Sequence, residues 1–300
     1  MVNLKELNKE QKSAVEYVEG PQMIVAGAGS GKTKVLTFKI AQLIDKGYPP
    51  DSILALTFTN KAANEMKDRI RSLIGSKADA LWMGTFHSIF ARILRIESKH
   101  INYAANFSIY DAEDSLSLVQ NIISNLNIDL DSVTPNSVRH RISFMKNHMV
   151  MPPEFRSNHK GEFIEEKIAD IYDEYQKRLV ANNAMDFEDL LLKPIELFNS
   201  NPKVHAKYKK MFDYILVDEF QDTNKAQYEL IKLLVTKEGK ISVVGDDAQS
   251  IYSWRGANIG NMIDFQKDFP KQKIFKLEQN YRSTKTILAA ADSVIKNNKD

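Results

Sequence analysis

The segment MIVAGAGSGKT constrains this chain more than any other. An apolar run ends at Ala26, small residues carry the chain from Gly27 to Gly31, and Lys32 and Thr33 open an amphipathic helical stretch. A strand delivered into a helix through glycines lets backbone N–H groups converge on phosphate oxygens at a helix N-terminus. In such a loop Ala28, Gly29, Ser30 and Gly31 form the cradle, Lys32 neutralises the β/γ charge, and Thr33 can hold Mg²⁺. The strict pattern starts with Gly where Ala26 stands here, a change of one methyl group. A Gly-rich turn that merely joins strand to helix is the bland alternative, and the strand-loop-helix context weighs against it.

A second feature fits the first. FDYILVDEFQDT closes an apolar strand with Asp218 and Glu219. Ligand crevices of α/β sheets open at the carboxyl ends of strands, so this pair belongs where a nucleotide would lie. Asp218 is the candidate metal ligand, and Glu219 the residue that orients and deprotonates an attacking water. Alone, a DE pair reads as a solvated turn. Following an Ile-Leu-Val run, in a chain with a phosphate loop, it implies γ-phosphate hydrolysis.

The expected fold is α/β: a P-loop NTPase parallel sheet flanked by helices, with an inserted all-helical subdomain. Strand signals at Gln22 to Ala26 and Ile53 to Phe58 alternate with helices reaching about Lys46 and starting about Asn60. From roughly Glu97 to Asn199 the periodicity becomes helical almost throughout, as in IADIYDEYQKRLV, with MVMPPEF expected as a loop. Strand signals return at Tyr214 to Val217, Ile241 to Val244 and Lys273 to Leu277. The expected division is 1–96 and 200–280 for the sheet domain and 97–199 for the insertion, with no internal repeat and no low-complexity segment.

Bulk properties act mainly by exclusion. Three hundred residues with 43% hydrophobic content suffice for more than one core, while a formal charge of +2 gives no whole-chain argument for nucleic acid. The chain has no cysteine and its six histidines lack ligand-like spacing, which leaves oxygen ligands for any metal. The N-terminus MVNLKELNKEQ has no apolar signal core, and no stretch approaches a bilayer span. A soluble, cytoplasmic protein without membrane contact is expected.

Six blocks in order, GAGSGKT, TFTNKAANEM, GTFHS, VDEFQDTN, VVGDDAQSIYSWRGA and LEQNYRST, make the chain resemble superfamily 1 DNA helicases of the UvrD/Rep/PcrA group from residue 7 to residue 284. The resemblance implies a first RecA-like motor domain, ATP held against a second one that would begin at residues 281–300, and 3′ to 5′ movement on single-stranded DNA. Position by position, Gln11 resembles the family's adenine-reading residue and Gln249 its γ-phosphate sensor. Arg282 resembles its arginine finger, and Tyr281 would stack on the base. The family usually carries Arg after the P-loop Thr; Lys34 stands here and lacks a planar guanidinium, which implies weaker base stacking.

The same resemblance implies a DNA track. Single strands are held by aromatic platforms and by cations or hydroxyls on phosphates. Phe58, Tyr252 and Trp254, with Arg255 beside them, are the candidate platform residues, and Thr59, Asn60, Thr85 and His87 the candidate phosphate contacts. An aromatic at a strand end is more often core, and Asn60 can equally serve as a helix N-cap. Between Asn60 and His100, Lys and Arg outnumber acids eight to four, which suits a phosphate-facing surface or an ordinary solvated one.

The resemblance implies ATP and Mg²⁺ as cofactors and single-stranded DNA or single/double-strand junctions as partners, in repair or replication, for a monomeric chain. Because the family's later blocks have no counterpart before Asp300, the expectation is a truncated motor that binds nucleotide and hydrolyses it poorly. Three other readings compete. One is an AddA/RecB-type helicase subunit of a recombination nuclease, another a P-loop ATPase switch without DNA, and the third a plain DNA-binding module.

Overall fold

The computed structural model of this protein describes residues 2–128, 133–246, 249, 258 and 260–295. The chain forms two compact units, one of residues 1–85, 207–223 and 234–300, the other of residues 86–206 and 224–233.

The first unit is built on a parallel six-stranded sheet. Its strands are β1 (Gln22–Ala26), β2 (Ile53–Thr57), β3 (Trp82–Thr85), β6 (Tyr214–Val217), β7 (Ile241–Gly245) and β8 (Lys273–Leu277), in spatial order β3-β2-β6-β7-β1-β8. Between β3 and β6 in the chain come the short strands β4 (Ser108–Ile109) and β5 (Ala184–Met185) of the other unit. Strands β2 and β6 are buried at every position, as expected of strands covered on both faces. Their continuous apolar runs, ILALT and YILV, satisfy that requirement directly.

Helices α1 (Lys9–Glu16), α2 (Lys32–Asp45) and α3 (Asn60–Ile74) pack their apolar stripes on this sheet. Val35, Leu36, Ile40 and Leu43 of α2 and Met66 and Ile70 of α3 join Ile24, Ile53, Tyr214, Val244 and Phe275 in one core. Register Gln22↔Ser242 and Met23↔Ile274 seats β1 between β7 and β8, so the carboxyl ends of β6, β7, β1 and β8 lie side by side. Each of those ends leads into a segment singled out by sequence.

Helices α4 (Phe86–Ile96), α5 (Ala112–Asn125), α6 (Pro135–Asn147), α7 (Pro152–Asn158), α8 (Phe163–Ala181) and α9 (Asp189–Ser200) form the second unit, with β4 pairing β5 in parallel. Helix α4, grouped with the sheet in the sequence-based division, clusters here instead because its apolar face contacts α9. Residues 224–233, the greater part of α11 (Lys225–Leu234), belong to this unit too, and α10 (Pro202–Met211) leads back to the sheet. The MVMPPEF segment, expected as a loop, begins a helix: Pro152 and Pro153 occupy its first positions, where a missing N–H costs nothing. Buried Ile168, Ile171, Tyr172, Tyr175 and Leu179 of α8 form the centre of this unit's core.

Also inside that core is an ion cluster. Lys146, fully buried, lies 2.6 Å from Asp186 and 2.9 Å from Asp189, while the Tyr175 hydroxyl donates to Asp186 over 3.1 Å. Among the described residues no helix is long and apolar enough to cross a membrane.

Candidate functional site

At the carboxyl end of β1 the loop Gly27–Gly31 turns into α2 with Gly29 at φ 74° and Gly31 at φ 91°, left-handed conformations that favour glycine. Space forbids a side chain as well. A Cβ on Gly31 would stand 2.7 Å from Gln11 Nε2, and one on Gly29 would stand 2.5 Å from the Cβ of Arg282. The Ser30 hydroxyl donates to Gly27 O over 2.7 Å, fastening the loop onto itself.

Lys32, the first residue of α2, sends its ammonium to Glu219 Oε2 at 2.9 Å and to Gln249 Oε1 at 3.4 Å. The cation is thus paired with the carboxylate that follows β6. Asp218 Oδ1 accepts the Glu219 N–H at 3.0 Å, and Asp218 N donates to Leu56 O of β2. Burial, reinforced by the charge of Glu219 and only partly offset by that N–H and by Lys32, pushes the Asp218 carboxyl up to about 7. Asp222 is raised to about 6 by the same two causes. Asp218, Glu219 and Asp222 thus share the neighbourhood of the Lys32 ammonium.

From the end of β8 the NYRS segment folds over the loop. The Tyr281 N–H donates to Gly29 O at 2.8 Å, Asn280 donates to Ala28 O, and the Tyr281 hydroxyl accepts from Asn8 Nδ2 at 2.8 Å. The Tyr281 ring stays 61% exposed and so offers a face. The result is a cavity of about 410 Å³ lined by Ala28, Gly29, Gly31, Lys32, Thr33, Lys34, Glu219, Gln249, Tyr281, Arg282 and Arg69. Ten of these were singled out by sequence, from four separate parts of the chain.

Three other nucleotide candidates lie outside the lining. Gln11 is buried and takes part in a capping box, its Oε1 accepting from Asn8 N and its backbone N–H donating to Asn8 Oδ1; its Nε2 donates to Ser30 O at 2.9 Å. Ser30 and Asp218 are buried. Lys34 is held away from a free swing by Glu6, donating to its backbone O at 3.0 Å with the carboxylate 3.7 Å away. Arg69 escaped the sequence reading. It sits on α3 within an ordinary-looking run of charges, with Glu65 3.9 Å away one turn earlier, and only the fold brings it to the cavity.

The strand-binding candidates are less concentrated. Phe58 is half-buried just past β2, and Thr85 is buried at the end of β3. The N-cap of α3 is Thr59, whose hydroxyl accepts Ala62 N at 3.1 Å; Asn60, expected as a possible cap, is instead the first helical residue and is exposed. In the helical unit His87 packs edge-on against Phe187 at 5.6 Å, and burial lowers its pKa against the opposing pull of Glu188. Phe187 is 49% exposed, an aromatic that the helical periodicity of DFEDLL had concealed. Tyr252, Trp254 and Arg255 lie outside the described residues. Among the described residues no group of three or more His, Cys, Asp or Glu could hold a metal unaided.

A parallel sheet carrying a glycine loop, its lysine and an acidic strand end on one edge defines a P-loop nucleotide-binding domain of RecA-like type. The chain belongs to the UvrD/REP helicase N-terminal domain family, whose model matches residues 7–270. It is 48% identical over 298 residues to the ATP-dependent DNA helicase PcrA of Staphylococcus aureus, covering 99% of this chain and 41% of that protein. The PcrA helicases of Bacillus subtilis, 48% identical over 293 residues, and of Staphylococcus epidermidis, 48% over 298, match it similarly, with 97% and 99% of this chain and 40% and 41% of theirs. The chain thus spans about two fifths of the length of the curated relatives it matches.

Proposed function

We propose that this chain is the ATP-binding and strand-gripping portion of a DNA helicase motor that moves 3′ to 5′ on single-stranded DNA. The observation that carries the reading is the Lys32–Glu219 pair, 2.9 Å apart in the lining of a cavity of about 410 Å³. An incoming γ-phosphate takes the ammonium and frees the carboxylate to face the attacking water. Gln249 senses the phosphate, Arg282 supplies charge as the transition state develops it, and Tyr281 stacks on the base while Lys34 and Gln11 attend its other sides. Asp218 and Thr33 are suited to Mg²⁺: a buried carboxyl driven up to about 7 by burial and the neighbouring Glu219 is one that a divalent ion would stabilise as the anion. Bound there, Mg²⁺ would neutralise charge shared between the β- and γ-phosphate oxygens.

In this reading the sheet unit is the first motor domain, the helical unit its insertion, and residues 281–300 the start of the second motor domain. By resemblance Phe58, Thr59, Asn60, Thr85, His87, Tyr252, Trp254 and Arg255 contact the strand; within the helical unit the exposed Phe187 against His87 offers a further stacking face. Relatives named as PcrA helicases favour this over a nuclease subunit or a DNA-independent switch. The test is titration of the chain with a fluorescent ATP analogue and Mg²⁺, and separately with labelled oligo(dT), for wild type and Lys32→Ala. Both ligands should bind wild type, and the substitution should abolish only nucleotide binding. A wild-type chain that ignores nucleotide would refute the reading.

A further inference from the structure

A closed circuit of hydrogen bonds joins Tyr281 to the phosphate loop by way of the N-terminus of α1. The Tyr281 N–H donates to Gly29 O over 2.8 Å, and the hydroxyl at the far end of the same residue accepts from Asn8 Nδ2 over 2.8 Å. Asn8 is locked to Gln11 twice, its backbone N–H donating to Gln11 Oε1 at 3.2 Å and its Oδ1 accepting Gln11 N at 2.8 Å. Gln11 Nε2 then donates to Ser30 O, one residue from where the circuit began. Lys34, also in the lining of the cavity, is held by the carbonyl of Glu6 in the same N-terminal segment.

The Asn8 amide has one usable orientation. Its oxygen caps α1, so its NH₂ is turned to the other side, and there it meets the tyrosine hydroxyl. Tyr281 needs such a tie. With 61% of the residue exposed, its ring is fixed less by packing than by the bonds made at its two ends. An aromatic face held still before a ligand arrives loses less side-chain freedom when the ligand stacks on it. Tyr281 lines the cavity and Asn8 does not, so Asn8 acts on a ligand there through the ring or, by way of Gln11, through the phosphate loop. The two routes are separable, because the ring matters only to a ligand that carries a base and the loop to any polyphosphate.

We propose that Asn8 is a positioning residue for the nucleotide base: its side-chain N–H pins the Tyr281 hydroxyl and so holds the ring in the orientation on which a base stacks. The inference rests on the stacking role given to Tyr281 above. It assigns Asn8 two functions on two atoms, the oxygen capping α1 and the nitrogen serving the base. Asn8→Ser separates them. A serine hydroxyl caps a helix about as well as an asparagine side chain does, but its single oxygen is engaged with the helix and lies one bond nearer the backbone, out of reach of Tyr281.

The experiment uses the 300-residue chain. Affinities for ATP and for inorganic tripolyphosphate, each with Mg²⁺, are measured by competition against a fluorescent ATP analogue for wild type, Asn8→Ser, Tyr281→Phe, the double variant and Tyr281→Ala. Asn8→Ser and Tyr281→Phe should each weaken ATP roughly three- to tenfold, the usual effect of freeing one side chain at a binding surface. The double variant should match the weaker single within about twofold, because both changes remove the same bond. Tripolyphosphate affinity should stay within about twofold of wild type throughout, since the bond under test serves only the base. An Asn8→Ser chain that binds ATP like wild type overturns the inference, as do losses that multiply in the double variant or that tripolyphosphate shares in full. Tyr281→Phe removes one hydroxyl and reads the same bond from its other end if Asn8→Ser does not fold. Unchanged ATP affinity in Tyr281→Ala removes the stacking role beneath the inference, whereas a weakened Tyr281→Ala beside an unaffected Asn8→Ser overturns the positioning alone.

Discussion

Gln11 Nε2 and the carbonyl of Ser30 lie 2.9 Å apart, so the residue that closes the capping box of α1 also braces the phosphate loop. The two roles separate by substitution. Gln11→Ala removes the reach-back to Asn8 and leaves the Ser30 carbonyl buried and unpaired, for roughly 1–2 kcal/mol of stability. Gln11→Glu keeps the acceptor for Asn8 but sets a carboxylate against that carbonyl beside the phosphate site. It should therefore weaken nucleotide binding more than Gln11→Ala does. Urea denaturation and titration with a fluorescent ATP analogue measure the two effects, and equal nucleotide affinities in the two variants would refute the bracing role.

Gly29 and Gly47 share a left-handed backbone, at φ 74° and φ 95°, yet differ in surroundings. Nothing lies within 4 Å of a Cβ built on Gly47, whereas one on Gly29 meets Arg282 Cβ at 2.5 Å and Asn280 Oδ1 at 2.9 Å. Gly47→Ala should cost only the backbone preference, roughly 1–2 kcal/mol. Gly29→Ala should also force the NYRS segment off the loop, with a larger loss of stability and of nucleotide affinity. Denaturant midpoints in parallel decide it; equal losses would mean that the segment does not press on Gly29 in solution.

How much of this was legible beforehand depends on whether the signal was local. The strands Gln22–Ala26, Tyr214–Val217 and Lys273–Leu277 declare themselves as short apolar runs bounded by turn residues, and the structure gives them those limits. Strand Trp82–Thr85 did not, being only four residues long and ending in Gly-Thr. The phosphate loop and its facing carboxylate were readable because each needs fixed residues at fixed spacing. Arg69 was not, since its place in the cavity comes from how α3 lies on the sheet. Lys39 is a harsher case: in a helix it reads as a surface cation, yet it is fully buried, donating to Ala14 O at 3.0 Å, and desolvation holds its pKa well below the ordinary lysine value.

The pH dependence of stability should carry the signature of Asp218. Its carboxyl is raised to about 7 in the folded chain from an unfolded value near 4. Between those values the folded state holds the proton and the unfolded state has lost it, so this group makes stability fall as pH rises from about 4 to about 7. Above that range the loss is complete. Asp218→Asn abolishes the titration, and without metal or nucleotide the variant should gain on wild type across that window and stay ahead at pH 8. Thermal melts of both proteins from pH 4 to pH 8 measure it; parallel curves would show that Asp218 titrates normally.

Lys146 offers a test of what holds the helical unit together. Two carboxylates and one ammonium, all buried, leave the cluster one negative charge in excess, and Asp189 Oδ2 has no hydrogen-bond partner among the described residues. Burial and the neighbouring Asp189 raise the Asp186 carboxyl despite Lys146, and the two aspartates raise Lys146 despite its burial. Lys146→Met strands both carboxylates and should cost about 3–5 kcal/mol, the usual penalty for breaking a buried pair. The loss should shrink at acidic pH, where protonating the aspartates removes the uncompensated charge. Replacing all three, as Lys146→Met with Asp186→Asn and Asp189→Asn, should recover much of it, because the cluster's attraction largely repays its own desolvation. If the triple variant is no more stable than Lys146→Met, the ammonium is acting through its packing against Tyr175, 5.3 Å from the ring centre, and not through charge.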